Sequence, residues 1–314
     1  MKIINNLKVE IPGTNTHYFH LEDYSVNTKD SVLIYGYDTL EHPPDLSSYK
    51  KNTYLNVTMP TEFCSNQSIY ADDLFDEIYT ICPYSCDWLN ELKNTNKYKC
   101  VWYPFNSKYI PAEKKKIYDV CYHGGIHGAK YSDMLNIISQ FNYRFMSMTH
   151  SINPYTQKHL SYATDTNLTH QQKMDLITQT KISICYNNFR VRDSQDEYHI
   201  KSKPNWSRNK AFSEVGKSNI IPQIKSRFIE ACVARTLNLV ERDPWNIIEK
   251  WYEPDKHFVY FDSNSELQDK ISEILSNWDD YNTIIDNAYN FSVTNYMCDN
   301  LIRRIKNEDI NNWR

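Results

Sequence analysis

Glycine is scarce in this chain, with 6 residues in 314. Collagen-like, propeller and glycine-rich low-complexity architectures need many more, so we exclude them. No window approaches the roughly 18 consecutive apolar residues of a membrane-spanning helix. The opening segment MKIINNLKVEIPG also lacks the apolar stretch of about 7–15 residues that a secretory signal carries. We therefore expect a cytoplasmic protein without a membrane span.

An excess of charge of either sign is also missing. Lysine and arginine number 35 against 39 aspartate and glutamate residues, which gives a net charge of −4. Because nucleic-acid-binding domains carry a basic face, we do not expect nucleic acid as a partner. The eight cysteines are spread out, and the one close pair, Cys82 and Cys86, has no second pair or histidine nearby. We expect no metal site there and no disulfide framework.

Short apolar runs alternate with helical patterns along the first 105 residues. The predicted strands cover residues 31–36, 53–58, 77–82 and 99–103, and a helix is predicted over 86–92. Connections of this length are crossovers, which imply a mainly parallel sheet in an α/β fold. We predict a Rossmann-like N-terminal domain over residues 1–110. It lacks the Gly-x-Gly-x-x-Gly pattern of a standard dinucleotide-binding domain.

A glycine-rich loop opens the second half of the chain. A predicted strand over 117–122 runs directly into His123-Gly124-Gly125-Ile126-His127-Gly128, which holds half of all the glycines. A helical pattern follows, and the amides of a strand–glycine loop–helix unit can approach a diphosphate. The loop either contacts the diphosphate of a donor, through Gly124 and Gly125, or an acceptor, or it is a plain tight turn. The same two readings apply to His123 and His127.

The strand–helix alternation continues to the end of the chain. Further strands are predicted over residues 143–148, 181–186, 237–242 and 257–261, with helices over 169–178, 265–278, 281–291 and 294–306. Thr169 is expected to cap the first of these helices. A helix starting near Ser226, which we expect to act as its N-cap, precedes the third of these strands. We predict a second Rossmann-like domain over residues 111–292. A C-terminal helix within 293–314 is expected to pack back on the N-terminal domain.

Residues 222–305 carry a multi-element pattern that is far more specific than any single residue. It comprises Lys225, Arg227, Phe228, Glu230 and Ala231 on one helix, the strand 237–241, and Glu-Pro-Asp-Lys at 253–256 before an apolar strand. This region resembles the C-terminal part of group-1 glycosyltransferases, especially the subgroup that includes bacterial spore-maturation proteins. Tyr118-Asp119-Val120 and the glycine loop fit the start of that family's second domain. The resemblance extends over about residues 117–305.

The resemblance implies the GT-B architecture, in which two Rossmann-like domains with parallel sheets face each other across a cleft. The second domain would hold the nucleotide-sugar donor. Glu230 would accept hydrogen bonds from the ribose hydroxyls, and Lys225 and Arg227 would neutralise the diphosphate. Fixed cations stabilise a departing diphosphate without a metal, and the chain has no Asp-x-Asp motif. We expect no metal and no cofactor besides the donor substrate.

Two departures from the family pattern leave the stereochemistry open. Retaining members carry an acidic residue eight positions before the conserved glutamate, where this chain has Pro222. Arg235-Thr236 stands where a glycine usually follows the helix. For an inverting transfer, a base must take the proton of the acceptor hydroxyl. Our first candidate is Glu62 and the second is His42, because each follows a predicted strand of the N-terminal domain.

These observations predict a hexosyl- or pentosyltransferase. It would move a sugar from a nucleotide-diphosphate sugar to a glycan, protein or small-molecule acceptor. The alternative is a non-catalytic carbohydrate- or nucleotide-binding protein on a degenerate GT-B fold.

Overall fold

The structure is a computed structural model. It describes residues 1–5, 20–36, 44–56, 73–81, 83–126, 129–147, 149, 154–190, 220–222 and 224–307. The two candidate bases, His42 and Glu62, lie outside the described residues, as does His127 of the glycine loop.

The N-terminal half forms a five-stranded parallel sheet whose strands lie side by side in chain order. The strands are β1 (Lys2–Asn5), β2 (Ser31–Gly36), β3 (Lys51–Asn56), β4 (Glu77–Thr80) and β5 (Tyr98–Cys100). β1 was not predicted, because two isoleucines between polar residues give too short an apolar pattern. The fourth predicted strand is also too long, since β5 ends at Cys100. The Val101 N–H still donates to the Thr80 carbonyl at 2.8 Å, and Trp102 and Tyr103 lie buried beyond the end of the strand.

The C-terminal half forms a six-stranded parallel sheet in the order β13-β12-β9-β6-β7-β8. Its strands are β6 (Tyr118–His123), β7 (Tyr143–Ser147), β8 (Asp165–Thr166), β9 (Thr180–Cys185), β12 (Leu237–Glu241) and β13 (Val259–Phe261). A separate antiparallel ribbon pairs β10 (Asn188–Arg190) with β11 (Ile220–Pro222). Two parallel sheets of this kind confirm the predicted α/β class.

The connectivity of the C-terminal sheet reverses between β6 and β9. From β6 the chain builds outward through β7 and β8, then returns to β9 on the other side of β6 and builds outward through β12 and β13. At such a switch point the loops leave two neighbouring strands in opposite directions and open a crevice at their carboxyl ends. A ligand site is therefore expected at this edge of the sheet.

Helix α1 (Pro83–Lys93) packs on the N-terminal sheet, where Cys86 and Leu89 join its core. Helices cover both faces of the C-terminal sheet. The remaining helices of the described ranges are α2 (Ala129–Ile138), α3 (Pro154–Lys158), α4 (His170–Ile177), α5 (Ser226–Val233), α6 (Asn264–Ser276), α7 (Asn282–Asn295) and α8 (Cys298–Asn307). Alternate residues of β6 face opposite sides. Val120 and Tyr122 join the core with α2 and α6, and Cys121 joins the core with α4 and α5.

The predicted N-cap of α4 is correct, whereas that of α5 is wrong. Thr169 caps α4 in a capping box with Gln172. In α5 the N-cap is Lys225, without a side-chain cap bond, and Ser226 is already helical. The backbone N–H of Lys225 donates instead to Oδ1 of Asn187, at 3.3 Å. A side chain from the end of β9 thus satisfies the start of α5.

The last helix, α8, packs against the N-terminal half. Its Leu301, Ile302 and Ile305 are buried in the same cluster as Leu21 and Tyr35. Just before it, the Cys298 N–H donates to the carbonyl of Phe105, at 2.8 Å. The domain limits near residues 110 and 292 stay predictions. In the part of the chain that the structure describes, no helix has the length and apolar character needed to cross a bilayer.

Candidate functional site

Residues from three elements meet at the switch point. His123 and Gly124 come at the end of β6, and Arg227 and Glu230 project from α5. Lys173 comes from α4. Residues three positions apart on a helix share one face, so Arg227 and Glu230 are neighbours on α5. All seven residues from Arg227 to Val233 are buried, which places this charged face inside the protein.

Gly124 and Arg227 fit together closely. The φ angle of Gly124 is +131°, a conformation that side-chain-bearing residues rarely adopt. A Cβ on this residue would lie 2.4 Å from Nη2 of Arg227. The Arg227 guanidinium also stacks on the Tyr122 ring, with Cζ 4.4 Å from the ring centroid. Glycine at this position therefore makes the space that the guanidinium occupies.

The guanidinium of Arg227 is held in place but is not fully hydrogen-bonded. Its Nη1 is buried and has no hydrogen-bond partner. A buried donor without a partner forfeits about 1–3 kcal/mol of hydrogen bonding. The second glycine of the loop has another role, because the Gly125 carbonyl accepts a hydrogen bond from the Tyr122 hydroxyl at 2.9 Å. That bond closes the loop back onto its own strand.

Glu230 is 1% exposed, and its two carboxylate oxygens differ. Oε2 lies 2.8 Å from Nζ of Lys173 and 3.2 Å from Nδ1 of His123. Oε1 is buried and has no hydrogen-bond partner. The carboxylate is thus held firmly through one oxygen, while the other keeps its capacity to accept a hydrogen bond.

The electrostatics of this cluster keep Glu230 ionised. Burial alone would raise the pKa of Glu230, but the charge of Lys173 and the hydrogen bond from His123 outweigh it and hold the pKa well below its usual range. Burial lowers the pKa of Lys173. Burial also lowers the pKa of His123 to about 4, so this imidazole is neutral near pH 7.

His123 links Glu230 to the centre of the sheet. Its Nε2 lies 3.3 Å from Oγ of Ser183. Since an ionised carboxylate only accepts, Nδ1 of His123 carries the proton and Nε2 accepts from the serine. The order serine–histidine–glutamate is that of a hydrolase triad. Ser183, however, lies inside β9, paired with Cys121 of β6 on one side and Asn238 of β12 on the other, and not in a loop at the carboxyl edge. The chain of bonds therefore serves to fix the histidine.

Asn187 marks the carboxyl end of β9. It is fully buried, and its Oδ1 accepts from the N–H of Lys225. Its Nδ2 is buried and has no hydrogen-bond partner. Asn187 was not among the predicted site residues, although a polar residue at the carboxyl end of a predicted strand is a usable signal. The side chain of Lys225 is half-buried at the start of α5.

A second buried ion pair lies along the same edge of the sheet. Lys130 of α2 pairs with Glu241 at the end of β12. The Lys130 ammonium also lies 4.4 Å from the centroid of the Tyr186 ring. The hydroxyl of Tyr186 donates to Asn264, whose Nδ2 donates to the Lys130 carbonyl; both distances are 2.8 Å. No local sequence pattern predicted this pair, because its members are 111 positions apart.

The structure therefore brings together Gly124, Arg227 and Glu230, with Gly125 and Lys225 at the rim of the same cluster. Lys173 and Asn187 were not predicted. Within the described ranges, no group of three or more His, Cys, Asp or Glu side chains is arranged to hold a metal ion.

The chain matches a known protein family over its C-terminal part. The family model described as "Glycosyl transferase-like" matches residues 125–307, which is more than half of the chain. The chain belongs to this glycosyltransferase family. The matched segment contains α5 and the strands β7–β9, β12 and β13, and it begins at the second glycine of the loop. Membership of the spore-maturation subgroup stays a prediction.

Solved structures of GT-B glycosyltransferases share the fold at low sequence identity. TarM of S. aureus, in complex with Fondaparinux, alpha-GlcNAc-glycerol and UDP, is 8% identical with a TM-score of 0.55, covering 92% of this chain and 57% of that one. HepE of Anabaena in complex with UDP-glucose is 10% identical with a TM-score of 0.55, covering 88% and 78%. Sucrose-phosphate synthase of Thermosynechococcus elongatus is 8% identical with a TM-score of 0.53, covering 88% and 72%.

These structures confirm the GT-B architecture. The chain spans little more than half the length of TarM. No curated protein sequence matches the chain.

Proposed function

We propose that this protein transfers a sugar from a nucleotide-diphosphate sugar to a glycan, protein or small-molecule acceptor. One observation carries the proposal. Nη1 of Arg227 and Oε1 of Glu230 are both buried without partners, on one face of one helix and at the switch point of a parallel sheet. One atom is a cationic donor and the other an anionic acceptor. A ligand that satisfies both must offer an acceptor to the guanidinium and a donor to the carboxylate, and the phosphate oxygens and ribose hydroxyls of a nucleoside diphosphate do so.

Arg227 is the proposed anchor of the diphosphate. Its guanidinium is fixed by the Tyr122 ring and by the space above Gly124. A fixed guanidinium forms strong, directional hydrogen bonds to phosphate oxygens. Lys225, at the N-cap of the same helix, and the positive end of the helix dipole add to the local potential. Gly125 completes the turn through which the chain approaches this group.

The transfer breaks the bond between the anomeric carbon and the oxygen of the β-phosphate, and its electron pair leaves with the nucleoside diphosphate. The oxygen of the acceptor hydroxyl forms the new bond to the anomeric carbon and gives up its proton. Charge develops on the departing diphosphate, where Arg227 stabilises it more strongly than in the ground state. We propose that this cation makes a metal ion unnecessary.

The base that takes the proton of the acceptor is proposed to be Glu62, with His42 as the second candidate. Glu62 follows β3, and His42 follows β2. Both positions therefore come after the carboxyl ends of neighbouring parallel strands, the edge at which α/β sheets carry their functional loops. The cytoplasmic location stays a prediction.

The first donors to test are uridine diphosphate sugars. HepE binds UDP-glucose, and TarM binds UDP, which supports a UDP-hexose as the starting point here. Hexose and pentose donors are separated by comparing UDP-glucose with UDP-xylose.

The test is isothermal titration calorimetry with UDP, GDP, CDP, ADP and TDP, each with and without EDTA. We expect one nucleotide to bind with EDTA present. An acceptor panel then reports release of the nucleoside diphosphate. Absence of binding by all five nucleotides would overturn the proposal, and binding that EDTA abolishes would overturn metal independence.

A second candidate is a binding protein without turnover. Pro222, at the position where retaining members carry an acidic residue, pairs with Asn188 in the β10–β11 ribbon and supplies no carboxylate. Nucleotide binding without turnover of any donor, equal in the wild type and in Glu62→Ala, would favour this candidate over the enzyme.

A further inference from the structure

The two oxygens of the Glu230 carboxylate are treated differently by their surroundings. Lys173 and His123 both contact Oε2, at 2.8 and 3.2 Å, although a carboxylate offers about four acceptor sites over its two oxygens. Oε1 is left buried and without a hydrogen bond. A buried ion pair that serves the fold alone gains by satisfying both oxygens. The asymmetry therefore needs another explanation.

The two donors are themselves anchored on different elements. Lys173 lies in α4, where its N–H donates to the carbonyl of the N-cap Thr169 at 3.0 Å. His123 ends β6, and its other ring nitrogen accepts from Ser183 of β9. Glu230 itself is on α5. Because β6, β9 and α4 fix the donors independently of α5, the carboxylate is clamped in one orientation.

The unpartnered oxygen of Glu230 has a counterpart on its neighbour Arg227. The guanidinium lies on the same helix face, three residues earlier, and its Nη1 is also buried without a partner. Burial of an unsatisfied donor and an unsatisfied acceptor on one face is costly unless a ligand satisfies both. Holding Oε2 from one side leaves Oε1 as the oxygen available to that ligand.

We propose that Lys173 and His123 are positioning residues that clamp Oε2 of Glu230 and so present Oε1 to the hydroxyls of the nucleotide ribose. This inference rests on the proposed function, since it assumes a ribonucleotide at the switch point. Neither residue touches the nucleotide. Their effect is to make the site select a ribose over a sugar that lacks the hydroxyls. With a dideoxyribose bound, Oε1 of Glu230 receives no hydrogen bond, and because the carboxylate is clamped it cannot rotate toward another hydrogen-bond donor.

The experiment compares two ligands that differ only in the ribose hydroxyls. UDP and 2′,3′-dideoxy-UDP are titrated by calorimetry, with the corresponding ADP, GDP and CDP pairs alongside. For the wild type we expect the ribonucleotide to bind roughly 10-fold or more tightly than its dideoxy counterpart, the order of one hydrogen bond to a charged group. In Lys173→Met the ratio falls to about 2-fold or less, while dideoxynucleotide affinity changes by less than about 2-fold. Lys173→Arg restores part of the ratio.

Histidine variants provide a second test that does not remove the buried lysine. His123→Asn keeps an N–H donor near the position of Nδ1, and His123→Leu removes it. We expect the asparagine variant to keep most of the ribose preference and the leucine variant to lose it. Thermal melting identifies any variant that fails to fold, and in that case the histidine pair decides the question.

The outcomes separate this inference from the function on which it rests. If no nucleoside diphosphate binds to the wild type, the proposed function fails and the inference fails with it. If ribo- and dideoxynucleotides bind equally to the wild type, or if Lys173→Met weakens both by the same factor, the positioning role is overturned and the phosphate site stands.

Discussion

Two buried lysine–glutamate pairs lie along the same edge of the C-terminal sheet, and they differ in how completely they are satisfied. The side chains of Lys130 and Glu241 are 7% and 6% exposed, and those of Lys173 and Glu230 are 8% and 1% exposed. Solvent access therefore does not distinguish the pairs. No polar side-chain atom of Lys130 or Glu241 is buried without a partner, whereas Oε1 of Glu230 is. We call Lys130–Glu241 the closed pair, because it leaves no unsatisfied atom for a ligand to bind. We call Lys173–Glu230 the open pair, because Oε1 of Glu230 remains available to a ligand.

The largest expected effect concerns the closed pair. Lys130→Met leaves Glu241 buried without its counter-charge, so we expect the free energy of unfolding to fall by about 3–5 kcal/mol. The double variant Lys130→Met/Glu241→Leu replaces the pair with apolar groups and should recover most of that loss. Urea denaturation measures both. A double variant no more stable than the single one would show that the pair is not the source of the effect.

The second effect concerns the ligand face of α5. Arg227→Met removes the buried guanidinium, and we expect the affinity for the nucleoside diphosphate to fall by roughly 100-fold, the order of two charge-assisted hydrogen bonds. Lys225→Met, which alters a half-buried side chain of the same charge, is the matched control and should cost about 10-fold or less. Calorimetric titration distinguishes the two. Equal losses in both variants would contradict the leading role of Arg227.

The third effect is the dependence of folding stability on pH. It arises from His123, which contacts Glu230 of the open pair. The pKa of His123 lies at about 4 in the folded protein against an ordinary value of 6.5, so the unfolded chain takes up the proton first as the pH falls. The stability that the neutral, buried His123 contributes is present above pH 6.5 and is lost as the pH falls toward 4. We expect about 2 kcal/mol to be lost between pH 7.5 and 5.

His123→Asn is the control for this pH dependence, because it keeps a polar side chain but does not titrate. Its free energy of unfolding, measured by urea denaturation at each pH, should fall less steeply than that of the wild type over the same range. His170 contributes in the same direction in both proteins, since burial lowers its pKa to about 3. Identical slopes for the two proteins would contradict a neutral, buried His123.

The smallest expected effect lies at the far end of α5. Arg235 has a φ angle of +51°, where the family usually has glycine. Its guanidinium stacks on Tyr289 at 3.8 Å and pairs with Asp286. Arg235→Gly and Arg235→Ala both remove these contacts, but only glycine adopts this backbone without strain. We expect the glycine variant to be more stable than the alanine variant by about 1 kcal/mol in urea, with unchanged nucleotide affinity in both.

Local patterns were sufficient to predict most of the C-terminal sheet and one face of the site. Strands such as β9 and β12 are continuous apolar runs, and Arg227 and Glu230 come together because they are three residues apart on one helix. Lys173 was not predictable in this way, since a lysine in a short helix usually belongs to a solvated face. Its contact with Glu230 depends on how α4 and α5 pack, which no local pattern records.

In the N-terminal half, an apolar pattern predicted a longer strand than the structure has. The sheet of this half follows from the strand patterns, but the segment from Val101 to Tyr103, which has the same apolar pattern as a strand, lies beyond the end of β5. Trp102 instead packs against Trp251 and Tyr252 of the C-terminal half, with ring centroids 4.9 and 5.4 Å away. An apolar run predicts burial, and the partner that buries it decides whether the run is a strand.

A crystal structure of the protein with a bound nucleoside diphosphate tests the central claim most directly. We expect Nη1 of Arg227 within hydrogen-bonding distance of a phosphate oxygen, and Oε1 of Glu230 within hydrogen-bonding distance of a ribose hydroxyl. A nucleotide bound elsewhere, with both atoms still unpartnered, would contradict the proposal that this face of α5 is the donor site.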